Sequence, residues 1–536
     1  MIGLIMRLFN VLIIILIDMI KFFEVLPAAL SWLTLILMFL VSWKAPFWAA
    51  IFIILFDTYW LLKTLYLSLH LRHSFNKMRE NEKMDWLKQL SERESFARSD
   101  LSRGSDLGLK AKNWQDIYHL VILPMYNEPY EVVRGSFESL SRMNYPKDKI
   151  IVVLATEERA GEEFQELAKK IGSEFGNVFY KFLITVHPAN LPNEIPGKGS
   201  NESYSAEETR KKIIDPLKID YENILVSVFD VDTQIGGEYF GLLTHKFLTC
   251  DKPQRTSFQP IPLFTNNIYE APALARVVSF SATFWHMMQQ SRPERMTTFS
   301  SHSMPFKALV EIGYWQKDVV SEDSRIFWQL FLHYDGDWRV EPMFYSVSMD
   351  ANVAQNFWKT MINIYKQQRR WGFGAENVPY MLDGFRKNKN IPFGVKSWWS
   401  FNVIEGFHSW ATNAIFIFAL GWLPVLIGGN AFDRTVLAYN LPVITRWILS
   451  LSMIGIASSA VLSIILLPKK PEGLKIRHYA VYLLQWILMP FTLIIFGAIP
   501  GLEAQTRLAL GGKFRLGFWV TPKGRYTANS QQMTGK

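Results

Sequence analysis

The sequence predicts an α/β domain on a parallel sheet, set between N-terminal and C-terminal transmembrane helices. Three observations lead there. Apolar runs of bilayer-spanning length gather at both ends, the middle of the chain is polar, and inside that middle β-branched runs alternate with helical patterns.

The apolar runs are Val25 to Ser42 and Phe47 to Leu67 at the front, and Val403 to Ile427, Leu441 to Leu467 and Tyr479 to Ile499 at the back. Each approaches the ~20 residues that cross a bilayer as a helix. The first stretch, GLIMRLFNVLIIILIDMI, carries Arg7, Asn10 and Asp18, and reads as a poor span, an interfacial helix or a cleaved signal peptide. The nearest small-residue site, Ala28-Ala29, falls inside the next apolar run and counts against the signal peptide. Basic residues follow the front spans in LRHSFNKMRENEK and return in PKKPEGLKIRH, which puts the polar middle on the cytoplasmic side of the cell membrane. A full crossing at Tyr479 to Ile499 would then carry the basic tail outside, so Pro490 predicts a kinked or re-entrant helix there. The expected division is transmembrane helices over 1–70, a charged linker or interfacial helix over 71–112, a cytoplasmic domain with interface helices over 113–390, transmembrane helices over 391–500 and a cytoplasmic tail over 501–536.

Inside the middle, YHLVILP precedes a helical pattern over 129–143, KIIVVLAT one over 161–171, and FYKFLITV one over 201–213; NILVSVFD follows. Strands and helices that take turns imply a parallel sheet covered by helices. In such sheets ligands bind at the carboxyl ends of the strands. With 57 basic and 48 acidic residues the net charge is +9, a sign suited to anionic lipid headgroups or phosphates. No zinc-finger spacing or RNA-binding aromatic signature occurs, which sets nucleic acid aside as a partner. The single cysteine, Cys250, excludes an intramolecular disulfide and a cysteine-rich zinc site.

Polar signatures fall where those strands end. NILVSVFD runs into FDVDTQ, so Asp230 and Asp232 are either an Asx-rich turn or a pair that a hard divalent cation on a diphosphate would relieve of mutual repulsion. In VVSEDSRIFWQL, Glu322 and Asp323 are either acidic first-turn residues of a helix or hold a general base. LPMYNEPYEVV offers Pro124, Tyr126, Asn127 and Glu128 as a turn or as a floor under a nucleotide base. PGKGSN sets Lys198 between glycines, a surface turn or a loop that brings an ammonium to phosphate; it lacks Walker spacing. YKQQRRWGFG places Gln367, Arg370 and Trp371 at helical spacing, either an interface helix or a guanidinium and an indole for phosphate and sugar.

Taken in order, P-x-Y-N-E at Pro124 to Glu128, K-x-x-N at Lys198 to Asn201, Asp230-Val-Asp232, Ser321-Glu322-Asp323 and Gln367-x-x-Arg370-Trp371 resemble the processive, membrane-bound family 2 glycosyltransferases, such as cellulose, chitin and hyaluronan synthases. The resemblance covers roughly Ile117 to Tyr380. It reaches the tail, where Phe518-x-Val520-Thr521-x-Lys523 is similar to the gating loop of cellulose synthases, although FWVTPKG by itself reads only as a short strand and a turn. The chain departs from the family in LATEER, where Glu157 or Glu158 stands in for an aspartate pair that contacts uracil, and in TTFSSHSMPF, where cellulose synthases have a cysteine-containing acceptor loop.

The resemblance implies a Rossmann-like nucleotide-sugar domain of the GT-A type. Asp230 and Asp232 would hold Mg2+ or Mn2+ against a nucleotide-diphosphate sugar, a UDP-sugar by the family pattern. Asp323, beside Glu322, would be the base of an inverting transfer. Pro124, Tyr126, Glu128, Glu157 and Lys198 would bind the nucleotide, and Gln367, Arg370 and Trp371 the diphosphate and acceptor. Membrane lipids, a glycan or lipid acceptor and an export partner complete the expectation. Two rivals stand beside a growing β-linked polysaccharide: transfer of one sugar to a lipid, as in glucosylceramide synthases, and a non-catalytic membrane scaffold.

Overall fold

The computed structural model describes residues 19–92, 113–418, 420–469, 471 and 475–522. The first amphipathic stretch with Arg7 and Asn10, most of the second half of the charged linker, and Lys523 lie outside the described residues. The chain divides into two compact units, one formed by residues 1–70 with 364–516 and the other by 71–363 with 517–536.

The second unit is built on one eight-stranded sheet. Its strands are β1 (Tyr118–Pro124), β2 (Ile150–Glu157), β3 (Lys181–His187), β4 (Ile224–Val228), β5 (Gln234–Ile235), β6 (Thr256–Phe264), β7 (Ser303–Pro305) and β8 (Arg339–Met349), in the order β3-β2-β1-β4-β7-β6-β8-β5. The four strands expected from the sequence form the parallel half, with β1 between β2 and β4. Helices Tyr130–Ser141, Glu162–Phe175 and Lys198–Thr209 occupy the expected intervals. The sheet is not parallel throughout. β7 runs antiparallel to β4 and β6, and β5 antiparallel to β8, so the whole is a mixed sheet. β6 and β8 pair in parallel, with a register shift between Gln259 and Ile261 where Pro260 has no N–H to offer the ladder.

Helices Tyr130–Ser141 and Tyr239–Thr249 cover one face through Phe137, Phe240, Leu243 and Phe247, all buried against Val121, Val152 and Leu225. Each such side chain contributes about 1.5–3 kcal/mol by leaving water. Because β1, β2 and β4 are buried on both faces, they carry unbroken apolar runs, and their polar side chains are confined to the ends.

Helices Met19–Lys44, Pro46–Asn81, Val436–Ile465 and Arg477–Leu510, which fall in the first unit apart from residues 71–81, are long and apolar enough to cross a membrane. They contain the runs expected at Val25, Phe47, Leu441 and Tyr479. At Pro490 the helix changes its winding, with a 3-10 turn over Gln485–Leu488 before the proline and a π turn over Ile494–Ala498 after it. The sharp bend, 50°, lies instead between Phe393–Phe418 and Leu420–Ile427, within the run expected to be one span. Polar side chains on these helices meet one another: Ser31 donates to Gln505 (2.8 Å), Trp32 to Thr506 (3.0 Å), and Lys63 pairs with Glu405 (3.4 Å). Each pairing relieves the cost of a polar group in an apolar setting.

Candidate active site

β4 ends at Val228, and the chain turns at once, the Thr233 N–H donating to the Asp230 carbonyl at 2.8 Å. The turn separates the fates of the two aspartates. Asp230 keeps a quarter of its side chain exposed. Asp232 is fully buried, and its Oδ2 accepts the Asp350 N–H at 3.0 Å at the end of β8. Asn266 ties the same corner, donating to the Asp232 carbonyl (2.9 Å) and the Asp350 carboxylate (3.0 Å).

Two helix N-termini meet Asp230. Helix Lys198–Thr209 starts on Lys198, a cation at the end of the helix where the dipole disfavours one. Helix Glu322–His333 starts on Glu322 and Asp323, where the dipole favours anions. The acidic first turn and the candidate base are thus the same residues. Lys198 Nζ lies 2.7 Å from Asp323 Oδ1, 3.0 Å from Asp230 Oδ1 and 3.5 Å from both Glu202 and Glu322. Burial alone would lower the lysine's pKa, but Asp230, Asp323, Glu202 and Glu322 together hold it well above the ordinary value. Burial pushes Glu202 well above the usual carboxyl range against the pull of Lys198. The close approach of the helices requires Gly199, where a Cβ would stand 2.9 Å from Glu322 Cβ.

The loop between β6 and β7 joins the carboxylates. Thr298 donates to the Asp323 carbonyl at 2.6 Å, and Ser300 donates to Asp230 Oδ2 at 2.9 Å. His302 follows, its carbonyl accepting the Val228 N–H and its Nδ1 at 2.8 Å from the Phe299 carbonyl. Ser303 turns its hydroxyl to Ser227 (2.7 Å) and Tyr239 (3.2 Å), so strand alternation aims the His302 ring at the other face, the one that holds Lys198 and Asp323. Burial holds this imidazole's pKa below the ordinary value, and among the described residues its Nε2 has no hydrogen-bond partner. The sequence reading singled out neither Glu202, Ser300 nor His302. Only Glu202 left a trace, standing four residues after Lys198 and hence on the same helix face.

At the ends of β1 and β2 the candidate nucleotide residues are close together. Glu128 folds back to accept the Tyr126 N–H at 2.8 Å, closing the turn after Pro124. The Arg159 guanidinium lies 4.3 Å from the centre of the Tyr126 ring and pairs with Glu157 through Nε and Nη2. Glu157 is therefore paired with a cation rather than alone. Glu158 accepts the Ala189 N–H at 2.8 Å, and Asn201 of the K-x-x-N stretch donates to the Ala155 carbonyl at 2.7 Å. From the tail, Phe518 packs on Gly197 so closely that a Cβ there would lie 2.6 Å from its Cγ. Val520 and Thr521 follow without regular structure, so FWVTPKG forms no strand in its described part.

A divalent cation suits this donor set. Glu202, Glu322 and Asp323 each offer a carboxylate oxygen within 4.8 Å of the others, Asp230 reaches the same ammonium, and both Glu202 oxygens lack a hydrogen bond among the described residues. The expected pair, Asp230 and Asp232, lies at the adjoining strand end, with Asp232 Oδ2 accepting the Asp350 N–H.

Gln367, Arg370 and Trp371 are half-buried on helix Phe357–Gly372 and fall in the first unit. Their neighbour Arg369 pairs with Glu503 at 2.7 Å, a carboxylate that also accepts from Tyr365 and Arg507. Gly372 does more than end the helix. A Cβ on it would lie 3.1 Å from Gly501 Cα.

Comparison of the sequence with protein families and with curated proteins finds no match. Among solved structures the chain is similar to a mannosyltransferase from Pyrobaculum calidifontis in complex with GDP-Man and Mn2+, at 12% identity and a TM-score of 0.38, over 74% of this chain and 99% of that one. It is also similar to TarS of S. aureus in complex with UDP-GlcNAc, at 12% identity and a TM-score of 0.33, over 64% of this chain and 90% of that one. Likeness at this level is one of general α/β arrangement and assigns nothing to individual residues.

Proposed function

We propose that this chain is a multi-pass membrane glycosyltransferase whose GT-A-type domain faces the cytoplasm and transfers a sugar, with inversion, from a nucleotide-diphosphate sugar to a growing β-linked polysaccharide. The observation that carries the reading is the convergence of Asp230, Asp323 and Lys198 within 3.0 Å contacts just beyond the carboxyl end of β4. A cleft that pairs an ammonium with several carboxylates suits an anionic donor and a hydroxyl acceptor.

Asp323 has the exposure to meet an acceptor, with a quarter of its side chain open, whereas Glu322 is buried and supports it. The Asp323 carboxylate takes the proton from the acceptor hydroxyl as that oxygen bonds to the anomeric carbon. The bond from that carbon to the diphosphate breaks, and the nucleoside diphosphate leaves. Asp230, with Asp232 behind it, would hold a Mg2+ or Mn2+, which would supply positive charge for the leaving diphosphate. Tyr126 and Arg159 offer a flat, partly cationic surface to a nucleotide base, with Pro124, Glu128 and Glu157 around it. Gln367, Arg370 and Trp371 carry, by the family resemblance, the chemistry for diphosphate and acceptor sugar.

Incubating membranes that contain the chain with radiolabelled nucleotide sugars and Mn2+ tests the reading. One donor is expected to give a labelled product, and a ladder of lengths marks a polymer. A single labelled lipid would select the glycolipid alternative, and consumption of no donor across the panel would overturn both in favour of a scaffold.

The tail supplies a further check. Gly197→Ala places a Cβ against Phe518 Cβ and Cγ, which cannot swing clear as a side-chain tip does, so the tail segment must move off. If that segment covers the nucleotide, as the gating-loop resemblance of Phe518, Val520, Thr521 and Lys523 implies, the donor KM rises about tenfold, the effect of ~1.4 kcal/mol. Steady-state kinetics with an unchanged donor KM would remove the tail from the site.

A further inference from the structure

We propose that Lys198 is a resident counter-ion that keeps divalent cations out of the carboxylate cluster until a diphosphate draws its ammonium away. The inference rests on the reading of this cleft as a donor site and adds an order of events to it. A lysine that serves only phosphate has no need of four carboxylates around it.

Lys198 Nζ sits 2.7 Å and 3.0 Å from the Asp323 and Asp230 oxygens and 3.5 Å from those of Glu202 and Glu322. A divalent cation bound by the same oxygens would approach them to about 2.0–2.6 Å. Ammonium and metal would then stand within one coordination shell of each other, where like charges repel strongly in a desolvated cleft. The two occupants exclude one another. Without the ammonium, Glu202, Glu322 and Asp323 oxygens within 4.8 Å of each other would form a strong divalent site, since Glu202 has no hydrogen bond to balance it among the described residues.

Lysine is suited to leaving. Its four-carbon stem rotates freely, its charge is a compact point, and its place on the first residue of a helix opposes the dipole. Gly197 and Gly199 flank it. An arriving diphosphate offers the ammonium new anionic partners and brings its own cation, so one positive charge replaces another at the carboxylates. A free cation offers no such partner and binds weakly.

The test is Mn2+ binding to the purified full chain without nucleotide, read from the electron paramagnetic resonance of free Mn2+. Lys198→Gln is expected to bind Mn2+ at least about tenfold more tightly than the parent chain. Because that change leaves buried carboxylates uncompensated, Glu202→Gln is also compared with the double variant Lys198→Gln/Glu202→Gln, and the double variant is expected to bind at least about tenfold more tightly than Glu202→Gln alone. Unchanged or weaker binding on loss of Lys198, in whichever comparison folds, overturns the inference. A donor panel that yields no transfer would sink the glycosyltransferase reading while leaving this comparison intact, so the two failures are separable.

Discussion

Asp323→Asn is expected to lower the transfer rate by about 10²–10⁴-fold, the usual contribution of a positioned general base. Asparagine keeps the shape and one oxygen, so Lys198 Nζ can still donate to it, and the Thr298 bond to the backbone carbonyl is untouched. The change therefore removes basicity with little else. Nucleotide binding is expected to hold within about threefold, because a group that acts on the acceptor proton contributes to the transition state rather than to donor affinity. Initial rates with the donor found in the panel, beside nucleotide binding by calorimetry, make the check. A rate within tenfold of the parent would strip Asp323 of the role. Glu322→Gln is the natural companion, since that buried carboxylate touches Lys198 but lacks exposure to an acceptor.

The parts of this molecule legible in the sequence share a physical origin. β1, β2 and β4 are buried on both faces, which forces continuous β-branched runs, and the helices between them repeat every three to four residues. The other half of the sheet carried no such signal. β6 contains Pro260 and Pro262, β8 contains Pro342, and β5 and β7 have two and three residues, so their pairing is set by tertiary contacts that no local window contains. The same division runs through the site. Asp230, Asp323 and Lys198 stood out because strand ends and helix starts are marked locally. Ser300 reaches Asp230 across 70 positions, and nothing in TTFSSHSMPF announces that bond. Glu157 is a second case: its pairing with Arg159 two residues on, which sets the charge it presents, is nowhere marked in LATEER.

Asp230→Asn is expected to cut kcat/KM by about 10²–10³-fold, the loss seen when one preorganised stabiliser of developing charge is removed. The argument turns on exposure. Of the carboxylates around Lys198, only Asp230 and Asp323 are open to an incoming ligand, and Asp323 is occupied with the acceptor proton, so the leaving diphosphate and its cation depend on Asp230. The Mn2+ concentration for half-maximal rate should rise with the same substitution, which a purely structural residue would not cause. Stability should move the other way. Four acidic side chains crowd one ammonium, and removing one negative charge relieves repulsion that the folded chain now tolerates. Thermal unfolding of Asp230→Asn is thus expected at or above the temperature of the parent chain. Ser300→Ala, which only releases the Asp230 carboxylate from one hydrogen bond worth about 1 kcal/mol, should cost far less activity. If Asp230→Asn kept its rate while losing stability, the cluster would be a structural knot, and the chemistry would have to be sought elsewhere in the chain.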